Sequence, residues 1–134
     1  NLFVARFIGS PTMNIFEGKI EGGRFISNDG YIKASASAQD EARVKAFEGK
    51  NVSLGIRSER FLTGEAEEKI EVKVDVVEML GKEKILYTNL PSGDEVVISV
   101  PGHLEFYEGE SYTFGIDHGS LHFFDTETGN RINI

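Results

Sequence analysis

Short runs in which every second residue is apolar recur along this chain. Val52, Leu54 and Ile56 are separated by polar or small residues, and the same alternation returns at 96–100 and 112–116. A period of two is typical of a strand with one buried face. Many short runs of this kind, separated by turn residues, predict a mainly β domain curled into one or two small barrels with short helices.

The stretch 51–61 couples such a strand to a charged turn. Gly55 occupies a position where a side chain would stand on the other face, which predicts a closely approaching backbone or a bulge. The charged segment 57–60 breaks the alternation, and Phe61 and Leu62 return to the core. The pattern by itself indicates an ordinary barrel strand and its corner.

The longest predicted strand, at 71–80, carries an irregularity. Ile70, Val72, Val74 and Val76 share one face, after which the apolar positions shift to Val77 and Met79. A shift of one residue predicts a β-bulge, the kind of bend that curls a strand around a small barrel.

Two segments favour helix. At the start of the chain Phe3 pairs with Phe7 and Val4 with Ile8 at a spacing of four, between a capping Asn1 and a terminating Gly9. A second short helix is predicted at 39–48.

Because the chain opens without methionine, we expect a piece of a longer protein, with 1–13 as a connector helix and linker and 14–134 as one domain.

The composition of the chain excludes several classes of function. The chain has 134 residues, no cysteine and a net charge of −8. Nine Lys/Arg stand against seven Asp/Glu through Arg60, and five against fifteen from Phe61 onward. An acidic half repels phosphate backbones, so no nucleic-acid partner is expected. No apolar run reaches the ~18 residues of a membrane span, and no signal peptide is apparent.

Residues with catalytic potential are few. The sequence contains no phosphate loop, no GxGxxG, no HExxH and no GxSxG motif. His118 and His122 lie four apart, but at a turn into a strand and not on one helix face, which disfavours a shared metal. Acidic pairs such as Glu67 and Glu68 fall in loops with nothing to desolvate them. We therefore expect no catalytic residue, metal or cofactor in this segment.

Several blocks resemble one family. The opening NLFVARFIGSPTMNIF resembles the segment that follows the nucleotide-binding domain in ATP-binding subunits of sugar-importing ABC transporters of the maltose type, where FIGSPxMN recurs. LGIRSER is similar to that family's LGIRPE turn, and VEMLGKEKILY, GESYTFGI and LHFFDTETGNRI follow in the family's order. The resemblance covers nearly the whole chain.

The resemblance implies a C-terminal regulatory domain of oligonucleotide-binding-like (OB-like) barrels, called a TOBE domain. ATP and Mg would bind the preceding nucleotide-binding domain, which hydrolyses ATP. The implied partners are that domain, a second copy of the subunit, the membrane permease and, in some members, an inhibitory signalling protein. The implied location is cytoplasmic, at the inner face of the membrane.

By position, the resemblance also implies site residues. The connector would consist of Phe7, Ile8, Gly9, Ser10, Pro11, Met13 and Asn14, and the regulatory turn of Gly55, Ile56, Arg57, Ser58 and Glu59. Ser58 stands where the family has proline, and Arg60 where histidine is common. Without proline the turn is less rigid. Arg57 is open to two interpretations, a surface ion pair or a buried bridge between barrels or subunits.

Phe123 and Phe124 are predicted to lie at a dimer interface. Adjacent residues in a strand point to opposite faces, and a small barrel can bury only one of them. The other is a candidate interface aromatic. Two further classes of function stay open: a ligand-binding module for small anions, and a stand-alone nucleic-acid-binding barrel, which the charge disfavours.

Overall fold

A computed structural model describes residues 2–7 and 10–133, with the backbone alone for residues 2–7 and 10–12. The fold is mainly β, as predicted, and is built from two antiparallel sheets. The strands in chain order are β1 (Leu2–Phe7), β2 (Ser10–Glu21), β3 (Arg24–Ser27), β4 (Lys33–Ala34), β5 (Asn51–Arg57), β6 (Phe61–Leu62), β7 (Lys69–Leu80), β8 (Glu83–Asn89), β9 (Glu95–Pro101), β10 (Ser111–Ile116) and β11 (His122–Asp125). One short helix, α1 (Glu41–Lys45), lies within the predicted helical stretch.

The first sheet has the strand order β11-β5-β2-β3-β4, with β1 also paired to β2. The second sheet has the order β6-β10-β7-β8-β9, so β9 is one of its edges. Side chains from the two sheets form one continuous apolar core. Strand β11 returns to the first sheet after the whole second sheet has been built, by pairing Phe123 with Leu54.

The helix predicted at the start of the chain is wrong. Leu2–Phe7 form β1, which pairs antiparallel with β2 and sets Phe3 opposite Ile15. The spacing of apolar residues alone cannot distinguish a short apolar helix from a buried strand. Here the segment forms a strand because the edge of the long strand β2 offers backbone groups to pair with. Asn1, Ile8 and Gly9, the predicted cap and end of that helix, lie outside the described residues.

The predicted irregularity in β7 is confirmed, one residue earlier than the sequence placed it. The pairing of β7 with β8 shifts register between Val74 and Val76. The extra residue turns Val76 away from the core, where it is 44% exposed, so its predicted place on the face of Ile70 and Val72 is wrong. Directly beyond the bulge Val77 still packs against the core, whereas Met79 and Leu80, at the end of the β7–β8 hairpin, are exposed.

At two positions of the first sheet, Gly18 and Gly55, neighbouring atoms leave no room for a side chain. A Cβ at Gly18 would collide with the carbonyl oxygen of Ile26 and lie 2.8 Å from Ser27 Cα, so the β2–β3 approach needs glycine. At Gly55 the predicted close backbone or bulge is wrong, since the pairing with β2 and β11 is regular there. The space is filled by side chains from β2, with Met13 Sδ 2.8 Å from where a Cβ would stand.

Candidate interaction site

Asn14, at the end of the predicted connector, joins the two sheets. It is fully buried in β2, between apolar neighbours. Its Nδ2 donates to the carbonyl oxygens of Val97 (2.9 Å) and Ile56 (3.2 Å), and its Oδ1 accepts from the Val97 N–H (2.9 Å). The side-chain amide thus pairs with both backbone groups of Val97, as a neighbouring strand residue would.

This contact closes part of the edge of β9. An edge strand presents backbone groups that lack a partner in the sheet, and burying them unpaired is costly. Asn14 satisfies those of Val97, and its contact with Ile56 places it beside the predicted regulatory turn. The structure therefore brings one predicted connector residue and that turn together against β9. Of the other connector residues, Ser10 and Pro11 lie in β2 and Phe7 in β1.

The predicted turn is a 3₁₀ segment, Ser58–Arg60, between β5 and β6. Ile56 and Ser58 are buried, and Glu59 is exposed. The segment packs against β9 and β2. Arg57 is half-buried on the face of β5 that points away from the core, and no acidic side chain of the described residues forms an ion pair with it. The described residues therefore favour neither a surface ion pair of Arg57 nor a buried bridge between barrels.

A second polar junction centres on Glu68, just before β7. Its carboxylate accepts from Arg24 Nη2 (2.7 Å), from the Ser35 N–H (2.7 Å) and from the Ser35 hydroxyl (3.0 Å). His118 Nε2 lies 3.3 Å from Glu68 Oε1. Arg24 and Ser35 belong to the first sheet and its continuation, so Glu68 ties the second sheet to the first.

The Glu68 junction was missed by the sequence interpretation, which placed this carboxylate in a loop with nothing to desolvate it. Its side chain is only 13% exposed. No local pattern marks it, because Arg24 and Ser35 are distant in sequence and are brought together by the fold.

Phe123 and Phe124 point to opposite faces, as expected for neighbours in a strand. Phe123 is fully buried. Phe124 is half-buried on the outer side of the first sheet, with the Arg131 guanidinium 5.9 Å from its ring centre. On the same side, partial burial and the nearby charges of Arg131 and Arg57 lower the pKa of His122 below its usual value. A cationic and aromatic group therefore lies on this face of an acidic chain.

Depressions on the described surface are shallow and of mixed charge. One depression of 300 Å³ is lined by Lys19, Lys50, Asp125 and Glu127, together with uncharged residues. Another, of 350 Å³, is lined by residues that include Arg24, Lys33, Glu67 and Glu68.

In the part of the chain that the structure describes, no group of three or more His, Asp or Glu side chains is placed to hold a metal. Within the same residues, no helix has the length and apolar character that a membrane crossing requires.

Two family models match the chain in overlapping segments. The MalK OB fold domain matches residues 9–61, and the TOBE domain matches residues 54–124. The TOBE match covers more than half of the chain, and the chain belongs to the TOBE domain family. The overlap falls on β5 and the 3₁₀ turn, the region that Asn14 links to β9.

Three relatives of the chain are named as ATP-binding proteins of transport or import systems. The chain is 37% identical to the ABC transporter ATP-binding protein YcjV of Escherichia coli O6:H1, over 96% of this chain and 36% of that protein. It is 32% identical to the oligosaccharides import ATP-binding protein MsmX of Bacillus subtilis, over 98% of this chain and 38% of that protein. It is 37% identical to the sn-glycerol-3-phosphate import ATP-binding protein UgpC of Ruegeria pomeroyi, over 97% of this chain and 34% of that protein.

The resemblance drawn from the sequence is thereby confirmed at the level of the family. The chain spans 34–38% of the length of these relatives. A solved structure with a similar fold is the cytoplasmic molybdate-binding protein ModG, with a TM-score of 0.66 and 16% identity, over 82% of this chain and 94% of that one. At this identity the likeness concerns the fold alone.

Proposed function

We propose that this chain is the C-terminal regulatory and dimerising domain of the ATP-binding subunit of an ABC importer for carbohydrates. The observation that carries the proposal is the similarity to import ATP-binding proteins along 96–98% of the chain. The parent would bind ATP and Mg and hydrolyse ATP in its nucleotide-binding domain, and this domain would contribute no catalytic residue.

The proposed partners are the subunit's own nucleotide-binding domain, a second copy of the subunit and the membrane permease, with an inhibitory signalling protein as a further partner. The complex would lie at the cytoplasmic face of the membrane. Phe7 to Asn14 would connect the two domains. In support, Asn14 fixes the end of this segment to both sheets, so a displacement of the connector would reach the turn at Arg57 through Ile56.

The coding DNA upstream of Asn1 provides the first test. An open reading frame that continues through a phosphate loop and an ABC signature supports the proposal. A start codon directly before Asn1 would contradict it, because the chain would then act without a nucleotide-binding domain.

Dimerisation is tested by sedimentation equilibrium of the 134-residue chain and of Phe124→Asp. We expect the substitution to shift the chain from dimer to monomer without unfolding it, since Phe124 lies outside the core. The matched control is Met79→Asp, another exposed apolar residue, on the β7–β8 hairpin. An unchanged association constant for Phe124→Asp, or an equal loss for Met79→Asp, would count against a specific role of Phe124.

A small-anion-binding module is the second candidate. It is favoured by the fold shared with a molybdate-binding protein and by Lys19 and Lys50 at one depression. It is opposed by Asp125 and Glu127 on the rim of that depression, since carboxylates repel anions. Isothermal titration with molybdate, sulfate and maltose decides: saturable heat with an oxyanion would establish this candidate.

A further inference from the structure

Strand β7 is paired on both sides over its first part only. β10 pairs with residues 69–73 of β7, and β8 pairs with it from residue 73 to residue 80. On the β10 side, the loop before β10 covers a little more of the strand. There the Gly109 N–H donates to the Val74 carbonyl oxygen at 2.8 Å, and Glu108 Oε2 accepts from the Val77 N–H at 3.0 Å. Beyond Val77 no strand of the described residues pairs with this side, and we call residues 76–80 on this side the open edge of β7.

Three backbone groups at the open edge have no partner among the described residues. The Val77 N–H points away from β8, because its acceptor, Glu108, lies on the opposite side of β7. Backbone groups along a strand point to alternate sides, and the pairing of β7 with β8 is regular from Val76 to Leu80. The Val77 carbonyl and the N–H and carbonyl of Met79 therefore point to the open side, where no described group bonds to them. Such an edge is a template on which an extended peptide can add a strand.

Large hydrophobic side chains flank the open edge on both faces of the sheet. In the part of the chain that the structure describes, five large hydrophobic side chains are well exposed, and four of them lie here: Val76, Met79, Leu80 and Tyr107. Val76 and Leu80 share one face of β7 and Met79 lies on the other, while Tyr107 directly precedes Glu108 in the covering loop. An added strand alternates its side chains between the two faces, so it would find apolar surface on each.

The charge beside the open edge determines which segment fits. The stretches 74–80 and 104–110 contain no lysine or arginine and carry five exposed acids: Asp75, Glu78, Glu105, Glu108 and Glu110. Lys82 lies in the turn at the far end of the edge, and Lys84 on β8 already donates to the Leu104 carbonyl oxygen at 2.6 Å. A second copy of the chain would bring the same acids to the edge and be repelled, whereas a basic segment would be attracted.

We propose that the open edge of β7 binds an extended, basic segment of another protein, which adds to the second sheet as a strand. Its backbone would bond to Val77 and Met79, and its lysine or arginine side chains would pair with Glu78 and Glu108. Its apolar side chains would pack on Leu80. Without the partner, Glu108 covers the Val77 N–H, and a charged side chain over an edge limits mispairing between chains. The proposal goes beyond the regulatory and dimerising role, because it concerns the second sheet and a different partner.

Binding is tested with a fluorescein-labelled heptapeptide of alternating lysine and valine, titrated with the 134-residue chain and followed by fluorescence anisotropy. We expect saturable binding with a dissociation constant of roughly 100 μM or below. Raising the ionic strength from about 0.1 M to about 1 M should weaken it, because part of the attraction is between charges. A heptapeptide with glutamate in place of lysine should bind at least about tenfold more weakly. No saturable binding of the lysine peptide, or equal binding of the glutamate peptide, would overturn the proposal.

The peptide backbone separates strand addition from simple charge attraction. The same lysine peptide with every backbone amide N-methylated keeps its charges but has no N–H to donate. We expect its dissociation constant to rise by about tenfold or more. Equal affinity of the two peptides would mean that charge alone holds the peptide, and strand addition would be wrong.

Two variants of one residue locate the contact. Met79→Pro removes the N–H that the peptide would use, at an edge position that tolerates proline. Met79→Ala is the matched control, because it removes the same side chain and keeps the N–H. We expect Met79→Pro to bind the lysine peptide about fivefold or more weakly than Met79→Ala.

Circular dichroism checks that both variants fold, and if Met79→Pro does not, the N-methylated peptide tests the same bonding on the original chain. Equal affinities of the two folded variants would overturn the assignment of this edge. A dimer of the original chain that Met79→Pro alone dissociates, in sedimentation equilibrium, would show that a second copy covers the edge and would also overturn the proposal. Neither result bears on the proposed function, whose tests concern the upstream reading frame and Phe124.

Discussion

The two polar junctions between the sheets differ in kind. Asn14 is fully buried, neutral and satisfied by backbone groups of β5 and β9. Glu68 is an acidic side chain that is 13% exposed, and its partner Arg24 is 39% exposed. A buried amide that makes three hydrogen bonds allows one arrangement of the sheets, whereas an ion pair with a partly exposed arginine can exchange part of its contact for water. We therefore expect the Asn14 junction to fix the position of the two sheets and to contribute more to stability than the Glu68 junction.

The largest expected effect is at the buried junction. Asn14→Leu leaves the N–H and the carbonyl oxygen of Val97 buried without a side-chain partner and removes the side-chain hydrogen bond to Ile56. We expect a loss of about 3 kcal/mol or more in the free energy of unfolding. Urea denaturation measures the loss. The matched control is Asn51→Leu, at an exposed position of the neighbouring strand, where a change within about 0.5 kcal/mol is expected. Similar losses at both positions would remove the distinction between the junctions.

A smaller effect is expected at the surface junction. Glu68→Ala removes the acceptor of Arg24 and of the Ser35 N–H, all of them partly open to water. We expect a loss of about 1–2 kcal/mol, measured by the same urea titration. The neighbouring Glu67→Ala, at an exposed position, serves as the control. A loss as large as that of Asn14→Leu would mean that Glu68 also determines how the sheets are placed.

Salt sharpens the contrast between the two junctions. Raising the ionic strength from about 0.1 M to about 1 M shortens the screening length from about 10 Å to about 3 Å. The difference in unfolding free energy between the original chain and Glu68→Ala should then shrink, because part of it comes from the ion pair. The difference for Asn14→Leu should stay constant, since no charge is involved. Equal salt dependence at both sites would contradict this assignment.

The smallest expected effect is on the pH dependence of stability, and it comes from His122, which belongs to neither junction. The pKa of His122 is lowered in the folded chain by partial burial and by Arg131 and Arg57. As the pH falls, the unfolded chain therefore binds this proton first, so stability is complete above about pH 6.5 and declines toward the lowered pKa. In His122→Gln this decline should be absent between about pH 6.5 and pH 5. An unchanged pH profile of the melting temperature would show that His122 does not cause it.

Features set by neighbouring residues could be predicted from the sequence. Alternation in β5, β9 and β10 and the slip in β7 follow from local patterns of apolar and turn residues, and they gave the mainly β fold. The first strand could not be recognised, because a six-residue apolar run fits a helix or a strand and β2 decides between them. The close backbone or bulge predicted at Gly55 is wrong, because the space beside this glycine is filled by the Met13 side chain from a different strand.

The junctions could not be predicted, for the same reason. Asn14 and Val97 are 83 residues apart, and Ser35 and Glu68 are 33 apart. Neither pair has a local signal, and only the meeting of the two sheets brings them into contact. The resemblance to a family identified Asn14 as part of a recurring segment without its physical role. The opposite faces of Phe123 and Phe124, by contrast, followed from strand geometry alone.

The late return of β11 also constrains how the chain can fold. β5 pairs with β2 early in the sequence, but its other edge waits for residues 122–125, after all strands of the second sheet. During synthesis the ribosome adds roughly 5–20 residues per second, so β5 would keep one open edge for several seconds. An open strand edge is a site of mispairing between chains. Holding the growing chain until β11 has emerged would therefore be the step at which a chaperone gives the greatest benefit.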